Sequence, residues 1–100
     1  MSLTHQLKNI VVLVSGGGTN LQALIDAQER GEIKDGKISC VISSKPGAFA
    51  LERAEKHGIP SRVISRKEYG DTISYSNAIL EALKEEQADL IVLAGFMTIL

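Results

Sequence analysis

The chain has 100 residues, 44% hydrophobic and 23% charged, with a formal net charge of −1. This is the balance of one globular domain, and near-neutrality with no long run of Lys or Arg excludes the electrostatic footprint of a nucleic-acid or membrane-surface binder. Its longest apolar runs, IVVLV and LIVLAGFM, fall well short of the roughly 20 residues of a membrane-spanning helix, and the polar start MSLTHQLK lacks the apolar core of a secretory signal, so a cytoplasmic protein is expected.

Residues 1–8 read as a polar leader. Residues 9–14 form a β-branched run of the length expected for a strand buried on both faces, and it stops at three consecutive glycines. A helix is predicted from residue 20, with Leu21, Leu24 and Ile25 as its apolar stripe, Thr19 or Asn20 as its cap and Gly31 near its end. Asp26 and Glu29 are expected on its exposed face.

A second strand is predicted over 37–43, between Asp35-Gly36 and Lys45-Pro46-Gly47. It carries Cys40, the sole cysteine. Among apolar neighbours, with no cation beside it to favour the thiolate, Cys40 is expected to be a buried inert thiol and not a nucleophile. The helix predicted over 48–57 is closed by Gly58 as a left-handed cap, with Ile59 and Pro60 just beyond. His57 is therefore expected to be a capping or solvated residue, as is His5 in the leader. Phe49 and Phe96 are expected in the core.

A short strand over 61–65 follows, and then a helix from the Asp71 cap to about residue 88. Ile79, Leu80 and Leu83 mark its inner face, while Glu81, Lys84, Glu85 and Glu86 mark its solvated ones. Residues 89–96 complete the pattern as a fourth buried strand. The order βαβαβαβ with near-continuous apolar strands predicts an α/β fold, a Rossmann-like parallel sheet of order 3-2-1-4 with helices on both faces. The pattern amounts to the first half of a doubly wound domain, so an uncovered sheet face and edge are expected.

A strand that runs through glycines into a helix start is suited to an anion, because the first-turn N–H groups are unpaired, the helix dipole is positive there, and glycine allows close approach. Ser15, Thr19 and Asn20 would add side-chain donors. The turn lacks the Gly-Lys-Ser/Thr ending of a triphosphate loop. Leu21 stands where a dinucleotide motif has its third glycine, and Ser43, Ser44 and Lys45 stand where an acidic ribose-binding residue would be. A phosphomonoester is the expected ligand; a tight strand-to-helix turn with no ligand is the simpler alternative. With order 3-2-1-4, the switch-point crevice lies between this turn and residues 94–100.

IVVLVSGGGTNLQALIDA, VISSKPGAFALERAEKHGIP and DLIVLAGFMTIL, in this order and at these separations, resemble the glycinamide ribonucleotide (phosphoribosylglycinamide) formyltransferase family from residue 8 to residue 100. The resemblance implies transfer of a formyl group from 10-formyltetrahydrofolate, as co-substrate, to the amine of glycinamide ribonucleotide in purine synthesis. No metal is implied. By position, Gly18, Thr19 and Asn20 match the family's substrate loop, shaped by Gly16 and Gly17. Met97, Thr98, Ile99 and Leu100 match its folate-lining segment.

Two positions depart from the family. Thr98 stands where Arg or Lys is usual, and Thr72 falls on the family's basic folate contact, so Arg66 or Lys67 becomes the alternative cation. The family's catalytic Asn, His and Asp, which stabilise and protonate the oxyanion, match positions after residue 100. No catalytic residue is therefore expected within this chain, which reads as the amino-terminal half of a formyltransferase domain over 9–100, inactive alone. Its expected partners are small-molecule substrates, with a second copy of the chain as a candidate and neither nucleic acid nor membrane. The alternatives from other classes are a non-catalytic phosphomonoester-binding or interaction module and a nucleotide-binding oxidoreductase half-domain.

Overall fold

The computed structural model describes residues 8–15, 19–33 and 36–94. The described elements are β1 (Lys8–Val14), α1 (Thr19–Glu29), β2 (Gly36–Ser43), α2 (Phe49–Lys56), β3 (Ser61–Val63), a 3-10 turn η1 (Arg66–Glu68), α3 (Thr72–Glu85) and β4 (Leu90–Leu93). The strands form one parallel sheet in the order β3-β2-β1-β4. That is the α/β, Rossmann-like architecture expected from the apolar strands.

β1 explains why helices are needed on both faces. Ile10, Val12 and Val14 belong to one buried cluster with Leu21 and Ile25 of α1 and Ala50 and Ala54 of α2. Val11 and Leu13 belong to the opposite cluster, with Tyr75, Ile79 and Leu83 of α3. Alternate residues of one strand thus point into two cores, as the two-residue repeat of a strand requires.

β2 follows the same logic only because it is irregular. Ile38 joins the α1/α2 side while Cys40 and Ile42 join the α3 side, although residues 38, 40 and 42 of a regular strand share a face. The register against β1 jumps from Ile10↔Ile38 to Val11↔Cys40, leaving Ser39 as the extra residue of a bulge. The Ser39 hydroxyl donates to the Ile10 carbonyl at 3.4 Å, and Gln28 of α1 accepts the Ile38 N–H at 2.5 Å. The backbone at the irregularity is therefore paired from both neighbouring elements.

The three described α-helices end in the same way. Gly31 (φ 77°) donates to Gln28 and Glu32 to Ala27; Gly58 (φ 71°) donates to Glu55 and Ile59 to Ala54; Gln87 (φ 54°) donates to Lys84 and Ala88 to Leu83. Each is a Schellman closure around a left-handed residue, glycine in the first two and glutamine in the third. His57 sits at the C-cap of α2, as expected, and its Nδ1 also lies 2.8 Å from a Glu29 carboxylate oxygen.

Several expectations need correction. Thr19 and Asn20 lie inside α1 instead of capping it. Asp26 is half-buried and pairs with Gln22 at 2.9 Å, because α2 packs beside that face. Phe49 is 58% exposed, stacked on the Arg53 guanidinium at 5.2 Å, since the small Ala50 and Ala54 are the residues α2 turns to the sheet. Leu80 is exposed, and Tyr75 instead fills the α3 face. α3 ends at Glu85, short of residue 88, and the third strand closes at Val63, short of residue 65.

β4 differs most. It pairs with β1 alone among the described residues, and Leu90, Ile91 and Leu93 are exposed, so it is an edge strand here and not a buried one. The uncovered face and edge expected from the pattern are at this place. Phe96, His5 and the rest of the predicted fourth strand lie outside the described residues. Among the described residues no helix is long and apolar enough to cross a membrane.

Candidate functional site

The carboxyl ends of the strands converge through backbone bonds that continue past the strands themselves. Ser44 donates to the Val14 carbonyl at 3.0 Å, Ile64 to Ser43 at 2.9 Å, Arg66 to Ser44 at 3.2 Å and Ala94 to Leu13 at 2.9 Å. Ser15 and Ser44 directly follow β1 and β2, Ser65 lies two residues past the end of β3, and all three are buried. The Ser15 and Ser44 hydroxyls lie 2.8 Å apart and bond to each other.

Two local devices fix the side chains at these ends. Ser43 accepts the Lys45 N–H at 3.1 Å and donates its hydroxyl to the Lys45 carbonyl at 2.7 Å, which turns the chain into Pro46 and Gly47, the latter at φ 71°. Tyr75 donates its hydroxyl from α3 to the Ile64 carbonyl at 2.9 Å. Its ring meets Tyr69 edge-on at 5.6 Å, and the Arg66 guanidinium lies 5.6 Å from its centroid while donating to the Tyr69 carbonyl at 2.9 Å. Arg66 is thus held by a carbonyl and a ring face.

These residues border an open cavity of about 540 Å³ lined by Ser15, Ser44, Lys45, Pro46, Ser65, Arg66 and Lys67, with no carboxylate among its described lining residues. Its cations and hydroxyls are groups that an anion would pair with, set beside Pro46 and the apolar stems of the long side chains. Ser15, the last described residue before the glycine turn, belongs to it.

Of the residues singled out from sequence, Asn20 is exposed in the first turn of α1 and Thr72 is exposed at the first position of α3. Both helices start at the carboxyl end of the sheet. Thr19 opens α1, but its side chain lies outside the described residues, as do Gly16, Gly17 and Gly18. Met97, Thr98, Ile99 and Leu100 lie outside them as well; Ala94, buried and bonded to Leu13, leads into that segment beside β1. Arg66 and Lys67, the alternative cations, do line the cavity. Lys45 and Ser65 had no signal of this kind in the sequence, because only the strand order brings them beside Arg66.

Two titratable groups outside the cavity lining, Cys40 and Asp71, serve the fold. Cys40 is fully buried and desolvation, reinforced by the Glu86 charge, pushes its thiol up to about 11. The Asp71 carboxyl is held below its ordinary 3.8, chiefly by the Ser74 N–H that it caps, with Arg66 adding in the same direction.

Residues 8–100 match the model of the formyl transferase family. The chain is 48% identical over 94 residues to the phosphoribosylglycinamide formyltransferase of Haemophilus influenzae, covering 94% of this chain and 44% of that protein. It is 45% identical over 99 residues to the human trifunctional purine biosynthetic protein adenosine-3, covering 99% of this chain and 10% of that protein. Among solved structures it resembles glycinamide ribonucleotide transformylase 1 from Geobacillus kaustophilus, with a TM-score of 0.87, 37% identity, and coverage of 95% of this chain and 50% of that one. The chain therefore spans about half the length of its single-activity relatives or less.

Proposed function

Because this chain belongs to the formyl transferase family, we propose that it supplies substrate-binding surface for transfer of a formyl group from 10-formyltetrahydrofolate to the amine of glycinamide ribonucleotide, a step of purine synthesis in the cytoplasm. The observation that supports the reading is the placement of the end of β1 and the start of α1, the two elements that the glycine segment connects. β1 lies next to β4, where the strand order reverses, and open parallel sheets bind ligands at the carboxyl ends of such strands.

In this reading the amino-terminal half of the catalytic domain opens with β1 at Lys8, the last residue of the expected leader, and runs to residue 100. Gly16, Gly17, Gly18, Thr19 and Asn20 hold the ribonucleotide phosphate at the start of α1, where unpaired N–H groups and the helix dipole favour an anion. Met97, Thr98, Ile99 and Leu100 form the folate wall, continuing from Ala94 next to β1. Thr72 keeps the position of the family's basic contact without its charge, and Arg66 and Lys67 supply cations from the preceding turn. The chain contributes binding and orientation, with the proton-transfer groups at family positions beyond residue 100.

The reading is tested in an enzyme carrying this sequence together with the family's remaining length, by following formyl transfer and the KM of each substrate. Asn20→Ala is expected to raise the KM for glycinamide ribonucleotide about tenfold, the worth of one charge-assisted contact, with little change in kcat. An unchanged KM, or formyl transfer without the folate donor, would count against the assignment. Binding of NAD(P) in place of the ribonucleotide would favour the oxidoreductase alternative, for which the end of β2 offers Ser43, Ser44 and Lys45 but no acidic residue.

A further inference from the structure

The cavity at the ends of β2 and β3 has an observation of its own that points to a ligand. Ser65 is only 6% exposed and occupies the N-cap position of η1, yet its side chain makes no cap bond, and it makes no other hydrogen bond among the described residues. Among the described residues no fully buried side-chain oxygen or nitrogen lacks a partner, so the Ser65 hydroxyl opens on the cavity that Ser65 lines, where a ligand can reach it.

The surrounding groups suit the same occupant. Among the described residues Lys45 and Lys67 have no carboxylate partner, while the Lys45 backbone is fixed on both sides by Ser43. Arg66 is oriented by the Tyr69 carbonyl and the Tyr75 ring, which leaves further guanidinium N–H groups for a ligand. Three cations and a spare hydroxyl exceed what one carboxylate can use, with its single charge, and match a dianion with three terminal oxygens. A cavity of about 540 Å³ also has room for a sugar attached to that group.

We propose that Ser44, Lys45, Ser65, Arg66 and Lys67 form a second oxyanion site, for a phosphate group that is free or carried on a small sugar, built from residues other than those of the glycine turn. Arg66 and Lys67 then serve this anion in place of the folate contact that the formyl-transfer reading gives them, and the role of the glycine turn in that reading is unaffected.

The test is a titration of the 15N-labelled 100-residue chain with inorganic phosphate, with ribose 5-phosphate, and with glutarate as a carboxylate control. The amides of Ser44, Lys45 and residues 65–67 should shift saturably with the two phosphates and bind glutarate at least tenfold more weakly. Tighter binding of ribose 5-phosphate identifies a sugar-borne phosphate, and equal binding a free one; both support the site. The double variant Lys45→Gln/Lys67→Gln should weaken binding about tenfold or more, while Asn20→Ala should leave it unchanged. Shifts confined to residues 16–20, abolished by Asn20→Ala, would overturn this proposal and leave the phosphate role of the glycine turn intact. If association broadens the spectra, acetylation of Lys45 and Lys67 read by mass spectrometry replaces them. Protection by ribose 5-phosphate is expected, and its absence overturns the site.

Discussion

At the scale of single residues, burial and backbone angle decide behaviour more than residue type does. Cys40 is fully buried, and loss of hydration raises its thiol from 9.0 to about 11, so the reactive thiolate is scarce at neutral pH. Iodoacetamide should leave native protein unmodified at pH 7.5 and label Cys40 once denaturant is added; fast native labelling would refute its burial. Since the folded thiol is harder to ionise than the unfolded one, its contribution is present below pH 9.0 and is lost as the pH rises toward about 11. Gln87 shows the other control. Its φ of 54° is the left-handed conformation that closes α3, which costs a non-glycine residue about 1–2 kcal/mol. Gln87→Gly relieves that strain and adds up to about 1 kcal/mol of unfolded-chain entropy against it. A net gain of about 0.5–1 kcal/mol is expected in denaturant titrations, and a loss would show that the glutamine side chain has a role of its own. The break between β1 and α1 was legible at this scale, since three glycines between an apolar run and a helix stripe mark where one element stops and the next begins. The cavity around Ser65 was not, because Ser15, Ser44 and Ser65 meet only when three strand ends lie side by side.

At the scale of elements, helix boundaries with a local chemical cause were the most legible. Gly31 and Gly58 mark helix ends in sequence and adopt left-handed angles in the structure, and Asp71 caps α3 through Ser74 at 2.7 Å. Features that depend on neighbours were not legible. The bulge at Ser39 changes which face of β2 Ile38 occupies, and nothing in KISCVIS distinguishes it from a regular strand. Phe49 and Leu80 carry apolar side chains to positions that no described element covers. The Asp71 cap makes a pH prediction for α3. Its carboxyl is held below 3.8 by the Ser74 N–H, so its stabilisation is complete above pH 3.8 and is lost as the pH falls through the lower folded value. Asp71→Asn keeps an acceptor at every pH, and Asp71→Ala removes it. Wild type and the Asn variant should have similar Tm at pH 7, the Ala variant a Tm lower by on the order of 5 °C. Below pH 3.8 wild type should fall toward the Ala variant while the Asn variant does not. Parallel Tm curves for wild type and the Asn variant through the acid range would exclude the cap as the cause.

At the scale of the molecule, the two sides of the sheet are unequally finished. The α1/α2 side is closed over Ile10, Val12 and Val14, but the α3 side stops at Leu80, Ile91 and Leu93, which are 53%, 47% and 61% exposed around a groove of about 410 Å³. The same strand, β4, has an outer edge with no partner among the described residues. Apolar surface beside an open strand edge favours association, because pairing at the edge satisfies backbone groups while burial of each large side chain contributes about 1–2 kcal/mol. The 100-residue chain is therefore expected to self-associate between micromolar and millimolar concentration, and to bind a dye such as ANS. Sedimentation velocity across that range measures the first, and fluorescence the second. Ile91→Lys with Leu93→Glu, two exposed sites on β4, should shift the chain toward monomer and lower dye binding while leaving its far-UV circular dichroism unchanged. Association that persists in the double variant would move the interface elsewhere, with the exposed Phe49 beside Arg53 as the next apolar surface to change. A wild-type chain that stays monomeric and dye-free throughout would mean that residues outside the described ones cover the groove, and the charge-bearing variant should then be destabilised instead of dispersed.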